Sequence, residues 1–211
     1  MGIVDRKEKQ KTAIRALILD ASMKLFVAHG FDNVSIRKIA ELIEYSPTTV
    51  YLYFKDKNEI FYHLHELGFK HFLDLNRNLE DIHHPLLQLH KMGENYIRFG
   101  LENPEFYDIM FIQQGPMEAL KQMENADWTN GDAALDRLKK TVEACMQQGL
   151  IQPSNVEAVA LGIWGMVHGL VSLAIRQRIE KLVAAEHIQA TMQQSLNWLL
   201  NSISIVNNTA D

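Results

Sequence analysis

Cysteine is almost missing from this chain. One residue, Cys145, occurs among 211, which excludes an intrachain disulfide framework and a cysteine-rich zinc site. Proline is also scarce, at 5 residues, and glycine stands at 11, so no stretch reads as a low-complexity linker. Alternating apolar and polar runs closed by hairpin turn residues are absent, which argues against a sheet. The N-terminal "MGIVDRKEKQ" has no apolar run of the kind a secretory signal carries. Its sixth residue, Arg6, stands where a myristoylation signal needs Ser or Thr. A soluble cytoplasmic protein is therefore expected. With 47% hydrophobic residues, the chain has material for a sizeable core in one domain or two small ones.

The net charge of −5 argues against nucleic acid as a partner until the chain is divided. Residues 1–60 hold 10 Lys+Arg and 8 Asp+Glu, a net of +2, and the remainder carries −7. Phosphate affinity follows the local basic patch rather than the whole-chain balance. Two jobs on one chain fit that asymmetry.

Apolar positions recur at helical spacing throughout, and the reading is all-α. Leu17, Ile18, Ala21, Leu25 and Phe26 mark a first helix over 11–29, closed by Gly30 as a left-handed stop. Ser35 caps a short second helix with Ile36, Ile39 and Ala40 on its apolar face. Ser46 caps a third over 47–53, with Pro47 at a first turn that needs no N–H. A fourth runs from 56 to about 79, and further helices are expected over 86–102, 104–113, 128–148, 155–178 and 184–204. The stretch "QQGPMEALKQMENAD" stays ambiguous between loop and helical turn.

Two short helices joined by a tight turn form the helix-turn-helix pattern. Its second helix enters the major groove by its N-terminal end. The stretch "SPTTVYLYFKDK" suits that task. Ser46, Thr48 and Thr49 put hydroxyls, and threonine methyls, where base edges lie. Tyr51 and Tyr53 extend phenols toward phosphate oxygens, and Lys57 starts the next helix, where an anion is favoured. Ser35 and Arg37 open the helix before. A capped surface helix with no partner has the same composition, and that reading stays open on these residues alone.

The run "LILDASMKLFVAHGFDNVSIRKIAELIEYSPTTVYLYFKDKNEIF" resembles the N-terminal domain of the TetR family of bacterial repressors. The resemblance rests on Phe26, Gly30, Phe31, Ser35, Ile36, Ile39, Ala40, Ser46, Thr49, Val50, Tyr51, Tyr53, Phe54, Lys57 and Ile60. It implies an N-terminal DNA-binding domain over 1–55 and a larger helical sensing and dimerisation domain over 56–211. It also implies Thr48, Thr49 and Tyr51 near bases or backbone, with Tyr53 and Lys57 on phosphates. The family's usual Ala-Gly-Val turn is replaced by Ile43, Glu44 and Tyr45. A Glu in a left-handed turn position costs about 1 kcal/mol, so either the turn accepts that strain or its backbone differs.

Residues 158–175 are apolar apart from His168 and Ser172, with Gly162, Gly165 and Gly169 at spacings of three and four. That suits a membrane span or a helix buried by a partner subunit; an isolated histidine in mid-span favours the partner. Trp164, His168 and Gly169 resemble a recurring C-terminal type within the same family. With the stripe Ile188, Met192, Leu196, Leu199, Leu200 and Ile203, the helices over 155–178 and 184–204 are expected to form a homodimer interface. Between them and the head, Tyr96, Phe99, Tyr107, Met110, Phe111, Trp164 and His168 are candidates to line a lipophilic cavity, beside Met92, Phe106, Met117 and Met123. Ordinary core accounts for any one of these residues equally well.

His63, His65 and His71 lie on one stretch, but His63 and His71 fall two turns apart, too far for one shared ion. No metal, cofactor or local catalytic set is expected. The leading reading is a ligand-responsive repressor that binds a palindromic operator as a homodimer. A helical enzyme using the histidine-rich region and a membrane-associated regulator spanning at 158–175 are the alternatives.

Overall fold

The computed structural model describes residues 3–113 and 128–205, with side chains from Arg6 onward. The stretch "QGPMEALKQMENAD", with Met117 and Met123, lies outside the described residues. Nine α-helices are found among the described residues. They are α1 (Ile3–His29), α2 (Ile36–Leu42), α3 (Pro47–Tyr51), α4 (Lys57–Leu75), α5 (Pro85–Glu102), α6 (Pro104–Tyr107), α7 (Thr129–Gln147), α8 (Val156–Ile175) and α9 (Ile188–Ile203). The one non-helical pairing described is an isolated antiparallel bridge between Ile151 and Ser204.

The chain divides into two compact units, residues 1–69 with 105–128, and residues 70–104 with 129–211. The first unit thus reaches beyond residue 55, where the sequence motif ends. It takes in most of α4, together with the segment after Pro104. Its core is continuous and apolar: Ile18, Phe26, Ile39, Ala40, Val50, Ile60 and Phe61 are fully buried. Phe26, Phe31 and Phe61 form an aromatic knot, with ring centroids 4.7 to 5.5 Å apart.

α1 begins at Ile3, eight residues before the start at residue 11 expected from the sequence. Arg6 to Ala13 are exposed, so this first part of the helix has no apolar face to betray it. α4 ends at Leu75 rather than near residue 79, and a 3₁₀ turn over Arg77–Asp81 follows. The segment after α6 widens into a π-turn, Asp108–Ile112, a variant that apolar spacing does not reveal.

The second unit is built around α5, which packs against α7, α8 and α9. Its entry is tied by polar groups. Asn95 Nδ2 donates to the Leu75 carbonyl and to Asn76 Oδ1, each at 3.1 Å. Arg137 donates to the Asn76 carbonyl and to Glu80, both at 2.6 Å. Asn76 and Asn95 are buried, so these bonds satisfy groups that would otherwise destabilise the core.

Two turns decide the geometry of the head. Gly30 has φ +75° and closes α1, its N–H donating to the Phe26 carbonyl at 2.8 Å. Glu44, between α2 and α3, has φ +59°: the turn accepts the left-handed conformation without glycine. Nothing lies within 4 Å of a Cβ built on Gly30, so any cost of Gly30→Ala is backbone strain alone. Urea titration is expected to show Gly30→Ala destabilised by about 1 kcal/mol and Glu44→Gly shifted the opposite way by less, because glycine loses more chain entropy on folding. Shifts of the same sign at both positions would refute the strain assigned to Glu44.

Candidate functional site

α3 is only five residues long, so it depends on its caps and anchors. Ser46 has an extended backbone, and its Oγ accepts from the Thr49 N–H at 3.1 Å. The Thr49 hydroxyl lies 2.9 Å from the same oxygen. Pro47 fills the first turn. Val50 and Phe54 are buried beneath, and the opposite side of the segment faces outward. Thr48 is exposed, Thr49 half-buried and Tyr51 55% exposed. The helix ends at Tyr51, so Tyr53 falls in the turn after it, half-buried. On α2, Ser35 is the cap, with its Oγ accepting from the Lys38 N–H at 3.3 Å, and Arg37 is exposed. Seven of the eight expected DNA-facing residues lie on α2, on α3 or on the caps and turn that flank them, each at least partly exposed.

Lys57 has a further attachment. Its Nζ donates to the Phe31 carbonyl at 2.8 Å and stands 4.1 Å from the Phe31 ring centroid. The side chain thus ties the start of α4 to the segment after α1, and Lys57→Ala would remove this structural tie as well as a charge. A residue that sequence spacing overlooks does similar work. Arg15 Nη1 donates to the Tyr53 carbonyl at 3.1 Å, with its guanidinium 4.3 Å over the Phe54 ring. The partners are 38 residues apart, so no local motif announces them. Lys55, exposed one residue past Phe54, is a second cation near α3 that the motif does not include.

The seven expected cavity residues fall into two sets. In the second unit, Trp164 Nε1 donates to the Tyr96 hydroxyl at 3.2 Å, and that hydroxyl lies 3.2 Å from His168 Nδ1. Burial lowers the His168 pKa. The neutral imidazole and the Tyr96 hydroxyl share one hydrogen bond whose direction follows the histidine tautomer, so the Trp-x-x-x-His spacing serves one hydrogen-bonded network. Phe99 and Tyr96 both pack on Phe72, with centroids 5.6 and 5.7 Å away. Elsewhere in this unit a groove of about 720 Å³ is lined by Leu73, Leu79, Met92, Arg77, Arg137 and Lys140 among others. None of the seven residues borders it.

In the first unit, Tyr107 packs on Phe111 at 5.0 Å and Phe111 on Phe69 at 5.4 Å. Met110 lies so close to Gly68 that a Cβ there would collide with its sulfur. Beside them stands His65, whose side chain is 1% exposed. Its ring lies 4.9 Å from Phe69 and 6.0 Å from Trp128. Neither His65 nitrogen has a hydrogen-bond partner, and the same holds for Trp128 Nε1 and Gln113 Oε1. A buried polar group left unpaired costs about 1–3 kcal/mol. Burial pushes the His65 pKa down to about 4. The "HLHELGFKH" stretch has the composition of a metal site. No group of three or more potential ligands is found among the described residues.

A capped reading helix on an apolar three-helix head, followed by a larger helical unit, is the architecture of a helix-turn-helix transcription regulator. Residues 18–64 match the family model of bacterial regulatory proteins, tetR family, and residues 89–198 match that of the tetracyclin repressor-like C-terminal domain. This chain belongs to the TetR family of transcriptional regulators, a class of DNA-binding proteins rather than enzymes. It is similar to an HTH-type transcriptional regulator of Staphylococcus aureus, 26% identical over 90 residues, or 42% of this chain. The matched stretch spans about half of that relative, 49% of its length. Among solved structures it is similar to a TetR family transcription regulator from Marinobacter aquaeolei VT8, with TM-score 0.66 and 20% identity over 94% of this chain and 98% of that one. A bacterial regulatory protein of the tetR family from Rhodococcus RHA1 gives TM-score 0.69 at 18% identity, over 92% and 98% of the two chains. These likenesses show the fold.

The buried histidine makes stability depend on pH. Unfolded, His65 titrates near 6.5; folded, near 4. Its contribution is therefore complete above pH 6.5 and is lost as pH falls toward 4, on the order of 2–4 kcal/mol across that window. Denaturant midpoints measured from pH 7 to pH 4 are expected to fall less steeply in His65→Leu than in the parent. His63 and His168, lowered in the same direction, leave part of the slope in place. Equal slopes in the two proteins would show that His65 is not buried neutral.

Proposed function

We propose that this chain is a cytoplasmic repressor that binds a palindromic operator as a homodimer and is released by a lipophilic small molecule. The observation that carries the DNA reading is the exposed Thr48–Tyr51 surface on a helix anchored by buried Val50 and Phe54. Such a helix presents short hydroxyls to base edges while Tyr51, Arg37 and Lys55 address the flanking phosphates. Two heads related by a two-fold axis meet successive major grooves, roughly 34 Å or a multiple of it apart.

The dimer reading rests on α8. Its mean hydropathy is 1.9, yet only 22% of its most apolar window is buried within the chain. Leu161 and Leu173 are exposed, and so is Trp198 on α9. Met166, Leu170, Thr191, Ser195 and Trp198 line a shared groove of the two helices. The same exposure suits a membrane, but a regulator that works on DNA favours a second copy as cover. α4 begins at Lys57 in the first unit and continues past Phe69 into the second. A ligand that displaces part of α4 would thereby change the spacing of the two heads. Release requires the ligand to bind the non-DNA conformation better than the DNA-bound one.

Operator fragments selected from genomic DNA provide the duplex for anisotropy titrations. Arg37→Ala and Lys55→Ala are each expected to reduce the slope of log K against log salt by about 0.9 for every phosphate the native side chain neutralises. An unchanged slope for both would refute the phosphate roles. Light scattering tests the dimer through Gly165→Glu, where nothing lies within 4 Å of a built Cβ, so the isolated chain has room for the new side chain. The expected product is monomer or aggregate, since a buried unpaired charge costs several kcal/mol. A fully dimeric variant with normal operator affinity would place the interface elsewhere.

A further inference from the structure

The first turns of α1 find no partner among the described residues. Arg6 to Ala13 are exposed, and the helix meets the core only from Ile14 onward. That exposed stretch carries four cations, Arg6, Lys7, Lys9 and Lys11, against one acid, Glu8. Among the described residues none of the four is ion-paired, whereas Lys24, Lys70, Lys91 and Lys139 each hold an acid on their own helix at 2.8 to 3.5 Å. Cations near a helix start also work against the macrodipole, which favours negative charge there. The extension therefore joins unneutralised positive charge to an uncovered surface. It lies before residue 18, where the match to the tetR family model begins.

We propose that the Lys7–Lys11 face of α1 binds the DNA phosphates that flank the half-site read by α3. It rests on the reading of α3 as the DNA-facing helix and gives that reading a second contact surface. Arg15 sets its place. That side chain donates to the Tyr53 carbonyl at 3.1 Å, in the turn directly after α3, with the exposed Lys55 two residues further on. Lys11 and Lys7 lie one and two turns before Arg15 on the same face, since residues four apart are neighbours on a helix. The row thus starts beside the end of the reading helix and runs away from the packed core. From Arg15 to Lys7 it covers about 12 Å, at 1.5 Å per residue. That length equals the rise of roughly three to four base pairs. Duplex DNA is the occupant because the row continues the surface of the head and because phosphates repeat negative charge along it. A lysine ammonium is a point charge without the planar fork that reads a base edge, so the contact is to backbone. Lys9 stands two residues from both lysines and points to the other side of the helix.

Anisotropy titrations of the full chain over a salt series use two operator duplexes. One ends at the outer edges of the half-sites, and the other carries about six further base pairs on each side, more than the row can span. Lys7→Gln, Lys11→Gln and Lys9→Gln each remove one charge from the same helix and keep its propensity nearly unchanged. On the longer duplex, Lys7→Gln and Lys11→Gln are each expected to reduce the slope of log K against log salt by about 0.9 per chain, while Lys9→Gln leaves it as in the parent. The double variant Lys7→Gln/Lys11→Gln is expected to bind at least about tenfold more weakly near 0.1 M salt. The factor is the same on operators altered in the bases under α3, because phosphates carry no sequence. Trimming the flanks weakens the parent in the same way and leaves the double variant unaffected. Equal losses from all three single variants would reveal a general field of charge and overturn the row. Unchanged slopes for Lys7→Gln and Lys11→Gln, with salt-dependent operator binding intact, would overturn it too and assign the face to another partner, such as an acidic protein segment. If a variant loses helicity by circular dichroism, the response of the parent to trimming decides. A parent that binds none of the selected duplexes would overturn the DNA reading of α3 and this contact with it.

Discussion

A five-residue helix has no stability of its own, and the DNA-facing surface depends on how α3 is held. The Ser46 cap is worth about 1 kcal/mol. The larger contribution comes from Val50 and Phe54, buried against α1 and α2 residues such as Ile18 and Ile39. Two cations then fasten the backbone on either side. Arg15 holds the Tyr53 carbonyl from α1, and Lys57 holds the Phe31 carbonyl from α4. Both also lie over aromatic rings of the same core. The reading helix is thus presented rigidly because every segment around it is cross-tied, not because its own sequence is strongly helical.

That rigidity contrasts with the polar discontinuities further along α4. Where α4 ends, Asn76, Asn95 and Arg137 satisfy one another and the carbonyls of the turn. Such a closed network specifies one arrangement of the chain. Around His65 the polar atoms are unpaired instead. One helix therefore has a start tied to the Phe31 carbonyl, a buried polar interruption in its middle and a hydrogen-bonded turn at its end.

The uncovered apolar surface follows a similar logic. α8 is hydrophobic on almost every side, but the chain itself covers only the face carrying Ala160, Ile163, Val167 and Val171. The glycines at 162, 165 and 169 look into open space. They lower the profile of the helix, which suits close approach by another helix. Family membership favours a second copy as that helix.

The helical class, the capped corner and the outward row of hydroxyls are legible from the residues, because each rests on local rules: apolar period, Ser caps and a proline at a first turn. The left-handed Glu44 is legible as a conflict between residue and turn, though not its resolution, which only the surrounding packing decides. The exposed start of α1 is not legible, since an unpacked helix carries no apolar stripe. Nor is the cross-tying by Arg15, whose partner is distant in sequence. The seven residues grouped as one cavity lining share composition, but composition carries no distance. Folding sorts them between two units, joins Tyr96, Trp164 and His168 by hydrogen bonds, and puts His65, a metal-ligand type by composition, among aromatic rings with its nitrogens unpaired. The sequence by itself determined the helical elements and the chemistry at the head, because both follow from near neighbours. Only the tertiary structure decided which buried polar groups found partners, because that depends on contacts between residues tens of positions apart.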